Sequence, residues 1–201
     1  MNKKTRVAVF VSGSGTNLQA IIDANIPNVE IVVVVSNNPN AYAIERAKRH
    51  NIPVEVIDHR NYSSREEFER EIIKKLEPYR VDLIVLAGFM RILSPFFVRA
   101  YKNRIMNIHP ALLPAFPGVN AVRQALSYGV KYTGCTVHFV DEGVDTGPII
   151  LQSVVPVYDD DTEEKLLERI HKEEHRIYPE AIRLFAEGKL HIEGRRVFIR
   201  D

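Results

Sequence analysis

The chain has 201 residues with 45% hydrophobic content, enough for one sizeable core and too few for two comfortable domains. Lys and Arg number 27 against 26 Asp and Glu, a formal net charge of +1, which excludes the broad basic face that coats nucleic acid but leaves small anions as ligands. Cys135 is the only cysteine, so no intramolecular disulfide and no cysteine-based metal cluster can form.

The opening residues, Met1 to Arg6, run straight into a strand-like stretch with no signal-type apolar region or cleavage site. Apolar runs such as Ile31 to Val35 are far below membrane-spanning length. These features predict a soluble, cytoplasmic protein that acts on small molecules, with no nucleic-acid or membrane partner. Val7 to Val11 is a short, continuous apolar run rich in β-branched residues, the pattern of a strand buried on both faces. It leads into Ser12-Gly13-Ser14-Gly15-Thr16-Asn17 and then a helical pattern from Leu18 to Ala24. Val29 to Val35 reads as a second strand, Ala41 to His50 as a helix, and Val54 to Ile57 as a third strand. Ser64-Arg65-Glu66-Glu67 reads as a capping box for a helix running to about Leu76, before Pro78. Val81 to Leu86 and Arg104 to Ile108 are further strands. This β-α alternation predicts an α/β fold: a mostly parallel central sheet flanked by helices on both faces.

The second half is less regular. Ala121 to Tyr128 is a short helix, while Tyr132 to Val140 and Ile149 to Val157 are strands joined by the turn-rich segment Asp141 to Pro148. Asp159 to Glu164 opens a long helix with its negative charges at the favourable end of the helix dipole. Lys189 to Ile199 closes the chain as a hairpin with Glu193-Gly194 in its turn. With no internal repeat, low-complexity tract or linker, residues 1–201 are expected to form a single domain.

Two features carry chemistry. The loop Gly13, Ser14, Gly15, Thr16, Asn17 lies between a strand and a helix, where backbone N–H groups and the helix terminus favour an anion. It lacks the third glycine of a dinucleotide fingerprint and the Lys-Ser/Thr of a P-loop, so a single phosphate monoester fits better than a dinucleotide or triphosphate. The plainer alternative is a tight turn with Ser14 or Thr16 capping the helix. The second feature is Asn107-Ile108-His109-Pro110, where i and i+2 side chains leave a strand on one side and Pro110 ends it. Taken singly, His109 reads as well as a structural histidine, Asn107 as a backbone partner and Asp145 as a turn former. Together they are complementary. Asn107 donates to a carbonyl oxygen, a protonated His109 stabilises charge on that oxygen, and a nearby Asp145 supports the imidazole. That set suits acyl transfer to an amine through a tetrahedral intermediate. No Ser or Cys adjoins His109 in sequence, so direct transfer is expected rather than a covalent acyl-enzyme.

Four motifs then occur in order: Ser12 to Gln19, Ala87-Gly88-Phe89-Met90-Arg91-Ile92-Leu93, Asn107 to Pro110, and Asp141 to Pro148. With them the chain closely resembles the phosphoribosylglycinamide formyltransferases, the folate-dependent transformylases of purine synthesis, over essentially its full length. Ser36-Asn37 and Glu174 to Pro179 are similar to the family as well. The resemblance implies a Rossmann-like formyltransferase fold, whose N-terminal half carries the phosphate and nucleotide site and whose C-terminal half completes the folate site. It implies 10-formyltetrahydrofolate as co-substrate, glycinamide ribonucleotide as acceptor, and no metal. Asn107, His109 and Asp145 match the catalytic trio. Gly13 to Asn17, chiefly Gly15, Thr16 and Asn17, match the ribonucleotide loop, and Glu174 matches a further ribonucleotide contact. Met90, Arg91, Ile92 and Leu93, with Val140, Asp141, Glu142 and Val144, match the lining of the folate pocket, and Arg65 matches a cationic contact near it. His138 matches a position where the family often has histidine, and is expected to support the site without reacting. One departure stands out: Val119 to Val122 contains no histidine, where relatives often have one. Two related enzymes, formyltetrahydrofolate deformylase and methionyl-tRNA formyltransferase, share an Asn–His–Asp site but normally add a regulatory or nucleic-acid-binding domain. A non-catalytic nucleotide or folate sensor would not need all three polar residues. The assembly is expected to be a monomer or a homodimer.

Overall fold

The computed structural model describes residues 3–201; the first two residues of the amino-terminal segment lie outside the described residues. The chain divides into two compact units, one reaching Met106 and one spanning Asn107–Asp201.

In the first unit, β1 (Thr5–Val11), β2 (Val29–Ser36), β3 (Val54–Val56), β4 (Leu83–Leu86) and the start of β5 (Ile105–His109) are hydrogen-bonded in the order β3-β2-β1-β4-β5. Every pairing among them is parallel. The order places β2 and β3 on one side of β1 and β4 and β5 on the other, so the direction of winding reverses between β1 and β4. In open α/β sheets ligands bind at the carboxyl ends of the strands beside such a reversal. Val7 to Val11 and Leu83 to Ile84 are essentially inaccessible, as expected for strands covered on both faces.

The helices of this unit are α1 (Thr16–Ala24), α2 (Ala43–Arg49), α3 (Arg65–Leu76) and the short α4 (Pro95–Ala100). The Ser64 side chain accepts from the Glu67 N–H, as a capping box requires. Its return contact is displaced by one residue, because the Glu67 carboxylate takes the N–H and hydroxyl of Ser63. The sequence pattern misses α4, which Pro95 opens after Ser94. Buried Glu69 of α3 accepts from the Ser94 N–H at 2.7 Å, so the first turn of α4 is tied to α3.

The second unit contains α5 (Ala121–Tyr128), β6 (Tyr132–Phe139), β7 (Ile149–Pro156), α6 (Glu163–Ala186), β8 (Leu190–Glu193) and β9 (Arg196–Ile199). Strands β6 and β7 are antiparallel, β9 runs parallel to β7 through Ile149 and Arg196, and β8 pairs antiparallel to β9. Thr162 caps α6 by accepting from the Lys165 N–H. Asp161, just outside the helix, holds Arg169 through a two-point contact at 2.8 Å. Among the described residues, no helix is long and apolar enough to cross a membrane.

Candidate active site

Asn107 and His109 occupy alternate positions on β5, and the pleat sends both side chains the same way. Asn107 is half-buried, whereas His109 is 5% exposed. The chain after His109 is anchored to the β6–β7 pair. Thr136 takes the Leu113 N–H and donates to the Ala111 carbonyl, while Gln152 donates to the Leu113 carbonyl and the Thr136 hydroxyl. The strand exit is therefore held by a closed polar network rather than by packing alone.

The surroundings of His109 define its chemistry. Its Nε2 lies 2.7 Å from the Phe116 carbonyl oxygen. A carbonyl can only accept, so Nε2 carries a proton. Its Nδ1 faces Asp145 Oδ2 at 3.5 Å. Asp145 is thus the side chain that meets His109, although 35 residues separate them in the sequence. Asp145 Oδ2 also accepts from the Gly118 N–H at 2.8 Å.

A second imidazole stands on the other carboxylate oxygen. His138 is 2% exposed, and its Nε2 lies 3.7 Å from Asp145 Oδ1. Its Nδ1 is 2.9 Å from the Phe139 carbonyl and so carries a proton. Among the described residues, His138 Nε2 has no hydrogen-bond partner. Burial works against ionisation of Asp145. The His138 imidazole, the Gly118 N–H and the charge of His109 outweigh it and hold the carboxyl below the usual aspartate value. The segment 119–122 supplies no histidine, and the second imidazole beside Asp145 comes from β6.

The Asp141 to Pro148 segment presents Asp145 through unusual backbone. Asp145 has φ 54°, a left-handed conformation that L-residues adopt sparingly. Asp141 Oδ1 collects the Gly143 N–H and the Thr146 hydroxyl. At Gly147 a Cβ would sit 1.7 Å from the Phe139 carbonyl oxygen, so glycine is required by the close approach of two backbones. Val140 and Asp141 are half-buried here, while Glu142 and Val144 are exposed. Glu174, on the buried face of α6, is 4% exposed and lies 3.6 Å from His171 Nε2.

Cys135 on β6 is buried. Burial, with the nearby carboxylates Glu174 and Glu173, pushes its thiol up to about 12, which removes it as a nucleophile at neutral pH.

In the first unit, the glycine loop joins β1 to α1. Gly15, with φ 77°, occupies the N-cap, so neither Ser14 nor Thr16 caps the helix. The Gly13 carbonyl accepts from the Ala43 N–H and the Ser14 carbonyl from Arg46 Nε, both on the α2 side of the loop. The first N–H groups of a helix have no partner within it, which leaves the start of α1 suited to an anion. Asn17 Oδ1 is buried and has no partner among the described residues. A buried acceptor in this state costs free energy unless a ligand supplies a donor.

Arg65 opens α3 and is exposed. Met90 and Ile92 are exposed, at 75% and 61%, Arg91 is half-buried and Leu93 is buried. A cavity of about 400 Å³ is lined by Met90 and Arg91 together with Ser12, Asn37, Asn38, His59 and Arg60, and Arg65 is not part of that lining. The Ser12 hydroxyl ties the cavity together by donating to Asn37 Oδ1 and accepting from the Met90 N–H. Among the described residues, no group of three or more His, Cys, Asp or Glu side chains is arranged to hold a metal ion.

The formyl transferase family matches residues 5–182. A solved glycinamide ribonucleotide transformylase 1 from Symbiobacterium toebii is 55% identical, with a TM-score of 0.95 over 98% of this chain and 95% of that one. Phosphoribosylglycinamide formyltransferase of Escherichia coli is 46% identical over 92% of this chain and 88% of its own length. The chain belongs to the phosphoribosylglycinamide formyltransferase family. It is also 49% identical to the trifunctional purine biosynthetic protein adenosine-3 of Drosophila melanogaster, across 92% of this chain. It spans only 14% to 20% of the length of the trifunctional relatives it matches.

Proposed function

We propose that the chain transfers the formyl group of 10-formyltetrahydrofolate to the primary amine of glycinamide ribonucleotide, a step of de novo purine biosynthesis. The observation that carries this reading is the placement of His109 between a carbonyl acceptor at Nε2 and the Asp145 carboxylate at Nδ1. A formyl oxygen is chemically equivalent to the Phe116 carbonyl and takes its place as the acceptor of the Nε2 proton.

In this reading the amine attacks the formyl carbon and a new C–N bond forms. Asn107 and His109 donate to the oxygen as it becomes negative in the tetrahedral intermediate. Asp145, aimed by the Gly118 N–H, holds the imidazole, and the amine proton passes towards the departing N10 of the folate. Collapse breaks the old C–N10 bond and releases tetrahydrofolate. All three residues act as donors, acceptors or proton carriers.

The acceptor's phosphate is assigned to the loop Gly13 to Asn17, with Asn17 Oδ1 as the waiting acceptor for a ribonucleotide donor, and Glu174 as a further ribonucleotide contact. The folate is assigned to the exposed apolar side chains Met90 and Ile92, with Arg91, Leu93 and Arg65, and to the segment Val140 to Val144. Residues 1–201 then work as one formyltransferase domain, as a monomer or homodimer, on small molecules in the cytoplasm.

The test is formyl transfer from 10-formyltetrahydrofolate to glycinamide ribonucleotide, with water alone as the control acceptor. Formylated ribonucleotide is expected to form in step with tetrahydrofolate. Release of formate at the same rate without ribonucleotide would make the enzyme a hydrolase, and no consumption of the folate would remove catalysis altogether.

A further inference from the structure

We propose that Arg195 is a positioning residue for Asp145, acting from the turn of the carboxyl-terminal hairpin. The inference rests on the role given to Asp145 above. Gly194, with φ 63°, turns the chain between β8 and β9 and delivers Arg195. Arg195 Nη2 donates to the Thr146 carbonyl at 2.5 Å and reaches the Gly147 carbonyl at 3.5 Å. Those two carbonyls are the first and second after Asp145. The next residue in the hairpin, Arg196, pairs with Ile149 in the β7–β9 bridge. The hairpin therefore meets the Asp145 segment at its carboxyl end twice, once through the strand and once through a cation.

The clamp has work to do because Asp145 sits in the left-handed region and its carboxylate must face two imidazoles at once. The other side-chain restraints on the segment do not touch those two carbonyls: Asp141 Oδ1 accepts from the Gly143 N–H and the Thr146 hydroxyl, and the Gly118 N–H holds the Asp145 carboxylate itself. Among the described residues, Arg195 is the side chain that holds the two carbonyls just after Asp145, and guanidinium-to-carbonyl bonds are stronger than neutral ones. If the planes of 146 and 147 rotate, the Asp145 side chain swings with them and His109 loses its partner.

The full chain carrying Arg195→Met or Arg195→Lys tests this, read by steady-state kinetics and by amide hydrogen exchange. Arg195→Met is expected to lower kcat about tenfold, the rate equivalent of one charge-assisted hydrogen bond, with both KM values within about twofold. Exchange should quicken at 141–147 and stay unchanged in β6 and α6. Arg195→Lys should recover most of the rate, since it keeps the charge and donors. Unchanged kcat in Arg195→Met, unchanged exchange at 141–147, or a general quickening across the unit that Lys fails to correct would each overturn the proposal. Asp145→Asn in the same assay separates the two readings. If it keeps full turnover, the assignment of Asp145 is wrong; if it loses turnover while Arg195→Met does not, only the clamp is wrong.

Discussion

At the scale of single residues, His109 is the centre of the proposal because both ring nitrogens are spoken for. Nε2 gives its proton to the Phe116 carbonyl and Nδ1 looks at Asp145. Positioned acid–base groups contribute roughly 10² to 10⁴ in rate, and single oxyanion donors roughly 10² to 10³. His109→Ala and Asp145→Ala are therefore expected to cut kcat by at least about a hundredfold while ribonucleotide affinity, measured by calorimetry, changes little. Near-normal turnover in His109→Ala would remove the assignment. These candidates could be singled out in the sequence, since Asn107 and His109 stand at strand spacing and Asp145 lies in a turn-rich segment. Their partners were not. The Phe116 carbonyl and the Gly118 N–H are backbone groups, which no residue type announces. Arg195 is one of many surface arginines until the hairpin turn brings it to Thr146.

At the scale of elements, the loop between β1 and α1 shows how a glycine is chosen by its neighbours. The first obstacle to a side chain at Gly15 is α2: a Cβ would lie 2.6 Å from Ala43 Cβ and 2.9 Å from its Cα. The positive φ adds strain of about 1–3 kcal/mol for an L side chain. Gly15→Val should therefore push α1 away from α2 and weaken ribonucleotide binding by about tenfold or more, as titration would measure. It should leave the KM for formyl folate nearly unchanged. Unaltered ribonucleotide affinity would move the phosphate site elsewhere. The helices and strands that periodicity predicts are present, and most boundaries fall within two residues. The capping box of α3 is shared between Ser63 and Ser64, and α4 escapes the pattern because six residues are too few to show a helical period.

At the scale of the whole molecule, acid sensitivity follows from the carboxylates. Arg169 holds Asp161 down to about 2, from an ordinary value of 3.8. Asp145, Glu173 and Glu180 are also held below their ordinary values, Glu173 and Glu180 chiefly by Arg176 and Arg183. A carboxyl whose folded value is depressed stabilises the fold above its unfolded value, and that contribution is lost as pH falls through the folded one. Burial lowers His171 and His175 as well, so the unfolded chain takes up their protons first as pH drops below about 6.5. Both effects weaken the fold in acid. Asp161→Asn should cost about 1 kcal/mol at pH 7, a modest value for a partly exposed pair. The difference in Tm from the parent chain should shrink between pH 4 and pH 2, the window set by Asp161, and a constant difference across that range would show that the Arg169 contact is not the cause.

The sequence by itself determined the alternation of strands and helices, the candidates for the site and the family, because these depend on local periodicity and on short ordered motifs. Only the tertiary structure decided what each group faces. His109 meets Phe116 and Asp145 because backbone at positive φ, in Phe116, Gly118 and Asp145, turns two loops towards one imidazole. His138 reaches the same carboxylate from a neighbouring strand, and Arg195 reaches its segment from the carboxyl-terminal hairpin. Those contacts join residues far apart in the chain through loop dihedrals and strand register, quantities that the folded backbone sets and hydrophobic pattern leaves open.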